Sequence, residues 1–348
     1  MYRSFSRTTP VSGSLRARRP RRRVLVAGVF ALSAVALTGC GLQPVTSYVP
    51  PVGPGSITPL EGTEGVDLTI TSKNFTEQLL LGKIAVIAGT AAGFDVTDLS
   101  NVPGSQPARE LLLAGQADVL WEYTGTAWLT YLGQAEPITD QQEMWQSVYD
   151  ADITNGITWG EPAPMNNTYA MAVRTEAVAE LGGITSMSEL AALPVEARTF
   201  CVESEFNSRS DGLNPMLAHY GLERGVADSV PDENVGIYDT GAIYSATDDG
   251  ACNFGEVFTT DGRIDALDLT VLTDDLAFFP AYNVAPVFFT ETIDAFPGLE
   301  GIFAQISPKL TDDVLRALNR QVDVDGKEPA DVAYAWMLSE GFITDPGQ

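Results

Sequence analysis

The residues that most often carry catalysis or bind metals are scarce in this sequence. Its 348 residues include one histidine, His219, and three cysteines, Cys40, Cys201 and Cys252. Zinc sites and the nucleophile pairs of serine or cysteine hydrolases are built from such residues. The sequence also contains no phosphate-binding loop, no H-E-x-x-H and no G-x-S-x-G motif. We therefore expect no metal, no cofactor and no enzymatic activity, and we interpret His219 as a helix-surface residue.

Carboxylates, in contrast, are abundant. The sequence has 46 Asp and Glu residues and 20 Lys and Arg residues, for a net charge of −26. Among so many acids, pairs occur at any spacing by chance, so a glycosidase-type pair is not indicated. Eight basic residues lie in the first 40 positions, which contain no acid, and the remainder has 12 basic against 46 acidic side chains, or −34. This charge argues against nucleic-acid binding and suits a soluble, monomeric secreted protein.

Residues 1–39 have the layout of a lipoprotein signal peptide. A basic stretch runs into residues 24–37, an apolar run of 14 residues, which is shorter than the ~20 that a membrane span needs. The run ends Leu37-Thr38-Gly39-Cys40, which resembles the lipobox of bacterial lipoproteins and implies that Cys40 is lipidated. Arg21-Arg22-Arg23 also resembles a twin-arginine signal, so the export route stays open. We expect an extracytoplasmic protein that a lipid anchors to the cell membrane.

Residues 40–65 are expected to form a flexible tether. They are rich in Pro, Gly, Ser and Thr and show no hydrophobic periodicity. Beyond them, Cys201 and Cys252 are placed by the signal peptide in an oxidising compartment, where a disulfide between them is the natural hypothesis. Two separate buried thiols are the alternative.

The folded part shows alternating strand and helix patterns. Residues 67–73 alternate apolar and polar side chains, and Asn74 or Thr76 could cap the helical pattern that follows. Such alternation predicts an α/β protein with mainly parallel sheets, and about 280 folded residues favour two lobes. Further strands are expected at residues 117–122, 199–203, 235–238 and 253–258, and a helix at residues 108–114.

Five segments together resemble the substrate-binding proteins of glycine betaine/choline/carnitine ABC importers. They occur in the order and with the approximate spacing of that family, and the resemblance covers residues 67–344. The segments are Ser72-Lys73-Asn74-Phe75-Thr76-Glu77-Gln78, Trp121-Glu122-Tyr123-Thr124-Gly125-Thr126, Asn166-Asn167-Thr168-Tyr169-Ala170, Thr259-Thr260-Asp261-Gly262-Arg263 and Phe278-Phe279-Pro280-Ala281-Tyr282.

This resemblance implies a type II periplasmic-binding-protein fold, in which two α/β lobes close on a ligand in the cleft between them. One lobe would comprise residues 67–166 and 278–348, and the other residues 167–277, so that the chain crosses near Asn166 and Phe278. The strands that hold Cys201 and Cys252 would then be neighbours, which favours the disulfide. The implied partners are the permease and ATPase subunits of an ABC importer.

The resemblance also implies a tyrosine cage for a quaternary ammonium ion. Such a cation cannot donate a hydrogen bond, and aromatic faces attract it with about 1 to 2 kcal/mol each in a dry site. Tyr123 and Tyr169 lie in the segments that match best, and Tyr282 is the candidate fourth wall. Tyr244 stands seventeen residues before Asp261, a spacing similar to that of a family cage tyrosine. Tyr238 is a rival for the role of Tyr244.

The other end of the ligand would meet Lys73 and Arg209. Two cations suit a carboxylate, because Arg offers a bidentate fork and Lys a point charge. Thr126 could add a hydroxyl donor, and Asn167 lies in the segment that contains Tyr169. Cations left unpaired in a closed cleft would be costly, which favours glycine betaine over choline. Charges solvated at the cleft rim are the alternative interpretation.

The expected function is therefore the capture of glycine betaine or a related compound for import, with a role in osmoprotection or nutrition. A receptor for choline, carnitine or ergothioneine is the first alternative. A secreted hydrolase is a remote one, since His219 would have to be its base. A tethered adhesion domain is the third.

Overall fold

The computed structural model describes residues 50–134, 138 and 140–347. The predicted signal peptide of residues 1–39, the predicted lipidation site Cys40 and the first part of the predicted tether lie outside the described residues. Within those ranges, no helix combines the length and the apolar character that crossing a membrane requires.

The strands of the described residues range from two to eight residues in length. In chain order they are β1 (Gly53–Pro54), β2 (Asp67–Lys73), β3 (Asp95–Val102), β4 (Val119–Tyr123), β5 (Ile157–Trp159), β6 (Tyr169–Arg174), β7 (Phe200–Glu203), β8 (Val235–Tyr238), β9 (Phe254–Phe258), β10 (Leu269–Val271), β11 (Val284–Phe289) and β12 (Ile343–Thr344).

The helices alternate with these strands through much of the chain. They are α1 (Thr76–Ala91), α2 (Ser105–Leu113), α3 (Thr124–Thr126), which continues as a π-helix over Ala127–Tyr131, α4 (Gln141–Asp152), α5 (Ser204–Ser208), α6 (Leu213–His219), α7 (Thr240–Asp248), α8 (Arg263–Ala266), α9 (Thr290–Ala295), α10 (Gly298–Ile306), α11 (Asp312–Asp323) and α12 (Pro329–Ser339). The α/β class predicted from the alternation of patterns is confirmed.

Ten of these strands form two five-stranded sheets. The first sheet has the order β3-β2-β4-β11-β5, and the second has the order β10-β6-β9-β7-β8. In the first sheet β2 runs parallel to β3 and β4, and in the second β7 runs parallel to β8 and β9. The carboxyl ends of parallel strands meet at one edge of a sheet, and this is the edge that carries binding residues in open α/β sheets.

The expectation of mainly parallel sheets is confirmed for strand direction, because four of the five strands in each sheet run the same way and one strand, β11 or β6, is reversed. Strand β11 pairs antiparallel with β4 and β5, while β6 pairs antiparallel with β9 and β10. Both β6 and β11 are the first strands that the chain enters after it passes from one sheet to the other. They therefore start at the edge where the parallel strands end, and they run in the opposite direction.

Two segments carry the chain between the sheets. Residues 160–168 lead from β5 to β6, and residues 272–283 lead from β10 back to β11. The segments are bonded to each other, because the Tyr282 amide donates to Oδ1 of Asn166 at 2.7 Å and the Asn167 amide donates to the Tyr282 carbonyl at 3.3 Å. The crossings expected near Asn166 and Phe278 fall inside these two segments.

The predicted tether differs from the structure over residues 50–65. Strand β1 pairs antiparallel with β12, so this segment is bonded to the C-terminal end of the chain. Ile57 is fully buried, and the Thr63 hydroxyl donates to the carbonyls of Leu60 and Ala92, each at 2.9 Å. Proline-rich composition lacks periodicity but does not prevent a segment from packing on the folded body.

Helix α1 begins directly after β2 and is buried along nearly all of its length. Asn74 and Thr76 do not cap it, because Phe75 is the N-cap residue and no side chain bonds to the first turn. The Thr76 hydroxyl donates instead to Oδ1 of Asp323 in α11, at 2.6 Å. The first turn of α1 is thereby joined to the C-terminal helices, and Glu77 faces inward.

A disulfide joins Cys201 in β7 to Cys252, two residues before β9. Their Cα atoms lie 5.8 Å apart, a separation that suits a disulfide. Strands β7 and β9 are neighbours, as the resemblance implied. His219 is the last residue of α6 and exposed, with Nε2 lying 3.2 Å from the Leu276 carbonyl oxygen.

Candidate functional site

A cavity of about 720 Å³ lies between the ends of the two sheets. The sequence predicts eight side chains at a ligand site, and seven of them line this one cavity. They are Lys73, Tyr123, Thr126, Asn167, Tyr169, Arg209 and Tyr282. Lys73 and Tyr123 end β2 and β4, and Thr126 ends α3. Asn167 and Tyr282 lie in the crossing segments, Tyr169 opens β6, and Arg209 follows α5.

Five aromatic rings form a continuous series along the cavity. Tyr123 and Phe75 have ring centroids 6.1 Å apart, and Phe75 and Phe258 are stacked at 5.2 Å. Phe258 lies 5.3 Å from Tyr169, which meets the edge of Tyr282 at 5.6 Å. All five line the cavity. A cation inside it would face several rings at once, the arrangement that favours quaternary ammonium ions.

Phe75 and Phe258 are walls that reasoning from the sequence did not assign. A signal was present, since Phe75 lies inside the segment of residues 72–78 and Phe258 directly precedes Thr259 of another segment. A phenylalanine face attracts a cation as a tyrosine face does, so these two rings have the same chemistry as the predicted tyrosines.

Tyr244 does not line the cavity, contrary to expectation. It lies in α7 with its ring fully buried, and its hydroxyl accepts a hydrogen bond from the Phe258 amide at 3.0 Å. The guanidinium of Arg263 covers the ring at 4.2 Å. Tyr238 does not replace it, because this tyrosine ends β8 and packs on the Cys201–Cys252 disulfide. Tyr244 thus bonds to the backbone of Phe258, and the ring of Phe258, rather than that of Tyr244, lines the cavity.

The positive charge of Lys73 is neutralised by the buried carboxylate of Glu122. Its ammonium lies 2.5 Å from Oε1 of Glu122, and both side chains are almost fully buried. The same carboxylate accepts hydrogen bonds from the Tyr123 amide and the Tyr131 hydroxyl, each at 2.7 Å. The ammonium also lies 5.1 Å from the centre of the Tyr123 ring. Glu122 therefore fixes Lys73 against the wall of the cavity.

Arg209 is paired in a similar way. Its Nε and Nη2 lie 2.7 and 2.5 Å from the two oxygens of Asp211, and Nη1 lies 3.2 Å from Oε1 of Glu205. Its guanidinium lies 5.4 Å from the centre of the Tyr169 ring. Burial opposes the charge, but Tyr169 and Asp211 raise the pKa of Arg209 well above its ordinary value.

These pairings change the argument about the ligand. The preference for a betaine rested on two cations that would stay unpaired beside choline. Glu122 and Asp211 supply those partners, so a ligand without a carboxylate leaves no buried cation uncompensated.

Glu77 lies behind the aromatic wall and accepts four hydrogen bonds. The donors come from β4, a crossing segment, the loop after β9 and helix α11. They are the Tyr123 hydroxyl at 2.7 Å, Asn167 Nδ2 at 2.9 Å, the Thr260 hydroxyl at 2.6 Å and Asn319 Nδ2 at 3.1 Å. Burial raises the pKa of Glu77, and the four bonds act against that rise.

Two further acids lie on the side of the second sheet. Glu203 caps α5 by accepting from the amides of Glu205 and Phe206 at 2.6 and 3.3 Å. Glu256 in β9 is buried, and one of its oxygens accepts from the Glu203 amide at 2.7 Å. Burial, with the neighbouring charges of Glu203 and Glu205, raises the pKa of Glu256 to about 8.

Three hydrogen bonds cross the cavity from one side to the other. The Tyr282 hydroxyl donates to Asp211 at 2.5 Å, Arg209 Nη2 donates to the Thr126 hydroxyl at 3.4 Å, and the Ser105 amide donates to Glu205 at 3.0 Å. These bonds hold the ends of the two sheets together around the rings. No group of three or more His, Cys, Asp or Glu in the described part of the chain is arranged to hold a metal ion.

Comparison with known proteins finds relatives that are named as binding proteins. The chain is 36% identical to the glycine-betaine-binding protein of Pseudomonas aeruginosa, over 81% of this chain and 90% of that protein. It is 29% identical to the ergothioneine transport permease/ergothioneine binding protein of Helicobacter pylori, over 79% of this chain and 48% of that protein.

A solved structure of a glycine betaine/carnitine/choline ABC transporter protein covers 79% of this chain and 99% of its own, with a TM-score of 0.63 and 25% identity. The fold is accordingly the type II periplasmic-binding-protein fold. Residues 66–339 match the family described as the substrate-binding domain of the ABC-type glycine betaine transport system. This match confirms the resemblance carried by the five segments, and the chain belongs to that family.

Proposed function

We propose that this protein captures a small quaternary ammonium compound outside the cytoplasm and delivers it to the permease of an ABC importer. The observation that carries the proposal is the continuous series of five rings, from Tyr123 to Tyr282, along one cavity. Such walls attract a methylated nitrogen through the ring quadrupoles and bury its methyl groups. The protein acts as a receptor and not as an enzyme.

Glycine betaine is the first candidate ligand. Its carboxylate would approach Lys73, Arg209 and the Thr126 hydroxyl, which lie on the cavity wall beside the rings. The relative from Pseudomonas aeruginosa is named for binding the same compound. The ligand-binding set we propose is Tyr123, Tyr169, Tyr282, Phe75, Phe258, Lys73, Arg209, Thr126 and Asn167.

Choline is the second candidate, and a specific observation favours it. Both cavity cations already have buried carboxylate partners, at 2.5 Å each. Choline would therefore contact rings and acids, and its binding would leave neither Lys73 nor Arg209 without a carboxylate partner. Carnitine and ergothioneine, which share the quaternary nitrogen, complete the group to be tested.

Titration calorimetry and thermal unfolding with these four compounds test the proposal. A ligand at one hundred times its dissociation constant should stabilise the protein by about 2.7 kcal/mol. We expect at least one compound to do so, with glycine betaine the tightest. The absence of any effect from all four would reject the proposed function.

The membrane anchor is part of the proposal and rests on the segment Leu37-Thr38-Gly39-Cys40. A lipid on Cys40 would keep a monomeric receptor, folded as two lobes, near the permease and ATPase subunits. Mass spectrometry of protein from membranes should show a diacylated or triacylated Cys40 at the mature N-terminus. A Cys40→Ala variant should leave the membrane fraction, and its retention there would contradict the anchor.

A further inference from the structure

Glu77 is a buried carboxylate that the proposed ligand would not touch. Its side chain does not line the large cavity, and the residue is only 2% exposed. Four donors surround it, two of them hydroxyls and two of them side-chain amide nitrogens. An ionised carboxylate has about four acceptor positions and no proton to place. These donors favour the charged form of Glu77 and act against burial, which raises its pKa.

The charge of Glu77 has no cationic partner within ion-pair distance among residues 50–134, 138 and 140–347. The other carboxylates at the rings differ in this respect, because Glu122 is paired with Lys73 and Asp211 with Arg209. A negative charge without a counter-ion is expensive in a buried position unless hydrogen bonds or a bound cation compensate it. The four hydrogen bonds supply part of that compensation.

Tyr123 connects this charge to the cavity. One end of the tyrosine, its hydroxyl, donates to Oε1 of Glu77 at 2.7 Å, while its ring lines the cavity. A phenol that donates to a carboxylate gains electron density in its ring, and hydrogen bonds polarise one another in a low-dielectric interior. The ring face then attracts a cation more strongly, in addition to the direct field of the carboxylate.

We infer that Glu77 is the counter-charge of the bound cation and acts on it through Tyr123, so that it sets the preference for a charged ligand over a neutral one of the same shape. The inference rests on the proposed function, because it concerns a cation held at the same rings. Glu77 is in this sense a specificity-determining residue behind the wall. The same hydrogen bond also holds the Tyr123 ring in place.

A pair of ligands that differ only in charge separates these two roles. In 3,3-dimethylbutanoate a carbon replaces the nitrogen of glycine betaine, and in 3,3-dimethyl-1-butanol a carbon replaces that of choline. Affinities of both pairs are measured by calorimetry, with competition for weak ligands, on the purified full-length protein. The variants are Glu77→Gln and Tyr123→Phe, which keeps the ring and removes the hydroxyl.

We expect Glu77→Gln to lower the ratio of cation to isostere affinity about tenfold, and Tyr123→Phe to lower it by a smaller factor. The matched control is Tyr220→Phe, since the Tyr220 hydroxyl also donates to a carboxylate, that of Asp274, but Tyr220 does not line the cavity. This control should leave the ratio unchanged. Equal losses for cation and isostere in both variants would overturn the inference, because they would indicate a positioning role alone.

A double-mutant cycle on the cation affinity provides a second measurement that needs no isostere. If Glu77 acts through Tyr123, Glu77→Gln should cost several-fold less in the Tyr123→Phe background than in the native protein. Additive losses would overturn the inference. If Glu77→Gln does not fold, the ratio measured for Tyr123→Phe decides. A native protein that binds none of the cations would reject the proposed function itself, whereas normal binding with an unchanged ratio would reject only this inference.

Discussion

The backbone amide of Ser105 donates to Oε2 of Glu205 over 3.0 Å. Ser105 is the first residue of α2 beside the first sheet, and Glu205 lies in α5 beside the second. A carboxylate at a helix N-terminus is stabilised by the free amides of the first turn. Burial alone would raise the pKa of Glu205, but Lys73 and the bonds from Ser105 hold it below the ordinary value. This hydrogen bond therefore joins the two sides of the cavity.

Loss of the hydrogen bond between Ser105 and Glu205 should speed the release of ligand. We expect Glu205→Ala to raise the dissociation rate about 5- to 10-fold, as for a hydrogen bond to a charged group, with little change in the association rate. Stopped-flow fluorescence measures both rates. Glu196→Ala, which removes an exposed acid on the same side, is the control. Unchanged release from Glu205→Ala would show that the bond does not limit opening.

The rings and Tyr244 should respond differently to substitution. Tyr123→Ala and Tyr169→Ala each remove a wall and should weaken binding of the cation by at least about 1 to 2 kcal/mol. Tyr244→Phe should reduce the affinity much less, because its ring lies under Arg263 and outside the cavity and the change removes only the hydrogen bond to the Phe258 amide. Calorimetry measures the affinities, and circular dichroism checks folding. A large affinity loss in Tyr244→Phe without unfolding would contradict the placement of Tyr244.

Arg209→Ala should discriminate between the candidate ligands. A carboxylate ligand loses a charged partner and should bind at least about 2 kcal/mol more weakly, whereas choline loses only the support that Arg209 gives to Asp211 and Tyr169. The measured quantity is the ratio of glycine betaine to choline affinity. Arg198→Ala, which removes an arginine bonded to the carbonyls of Leu193 and Ser229, should leave that ratio unchanged. Equal losses for both ligands would assign Arg209 a structural role.

Stability should depend on pH through Glu256. Burial raises its pKa to about 8 from the ordinary value of 4.5, so the folded protein binds more protons than the unfolded chain between these values. The free energy of unfolding must then fall as pH rises through that window. Glu256→Gln keeps an oxygen that accepts from the Glu203 amide and removes the charge. Its stability should match the native protein near pH 4 and exceed it by more than about 1 kcal/mol at pH 9.

Glu189 should make the free energy of unfolding change with pH in the opposite direction, so it serves as the comparison for Glu256. Its exposed carboxylate accepts from the amides of Thr185 and Ser186, and these bonds lower its pKa. The ionised carboxylate of Glu189 contributes to the free energy of unfolding above its ordinary pKa, and this contribution disappears as pH falls. Glu189→Gln should therefore be less stable than the native protein at neutral pH and equal to it in strong acid. Urea unfolding at several pH values measures both variants, and parallel curves for the two would contradict the assignment.

The chemistry of the cavity could largely be predicted from the sequence. Seven of eight expected ligand residues line it because the segments that carry them directly precede or follow strands, and the ends of those strands meet at one place. The predicted lipoprotein signal at the N-terminus likewise rests on a local pattern of charge, apolar length and small residues. Features of this kind depend on neighbours in the chain, and a sequence displays them directly.

Contacts between distant residues could not be predicted in this way. Glu122 pairs with Lys73 across 49 positions, and Glu77 and Asn319 are 242 positions apart. The strand directions of β6 and β11, and the docking of residues 50–65 on the C-terminal strand, are equally long-range. The sequence by itself determined the family, the α/β class and most of the cavity wall. Only the tertiary structure decided which cations are neutralised, which of the predicted tyrosines line the cavity and which carboxylates lie buried, because these depend on partners that folding brings together.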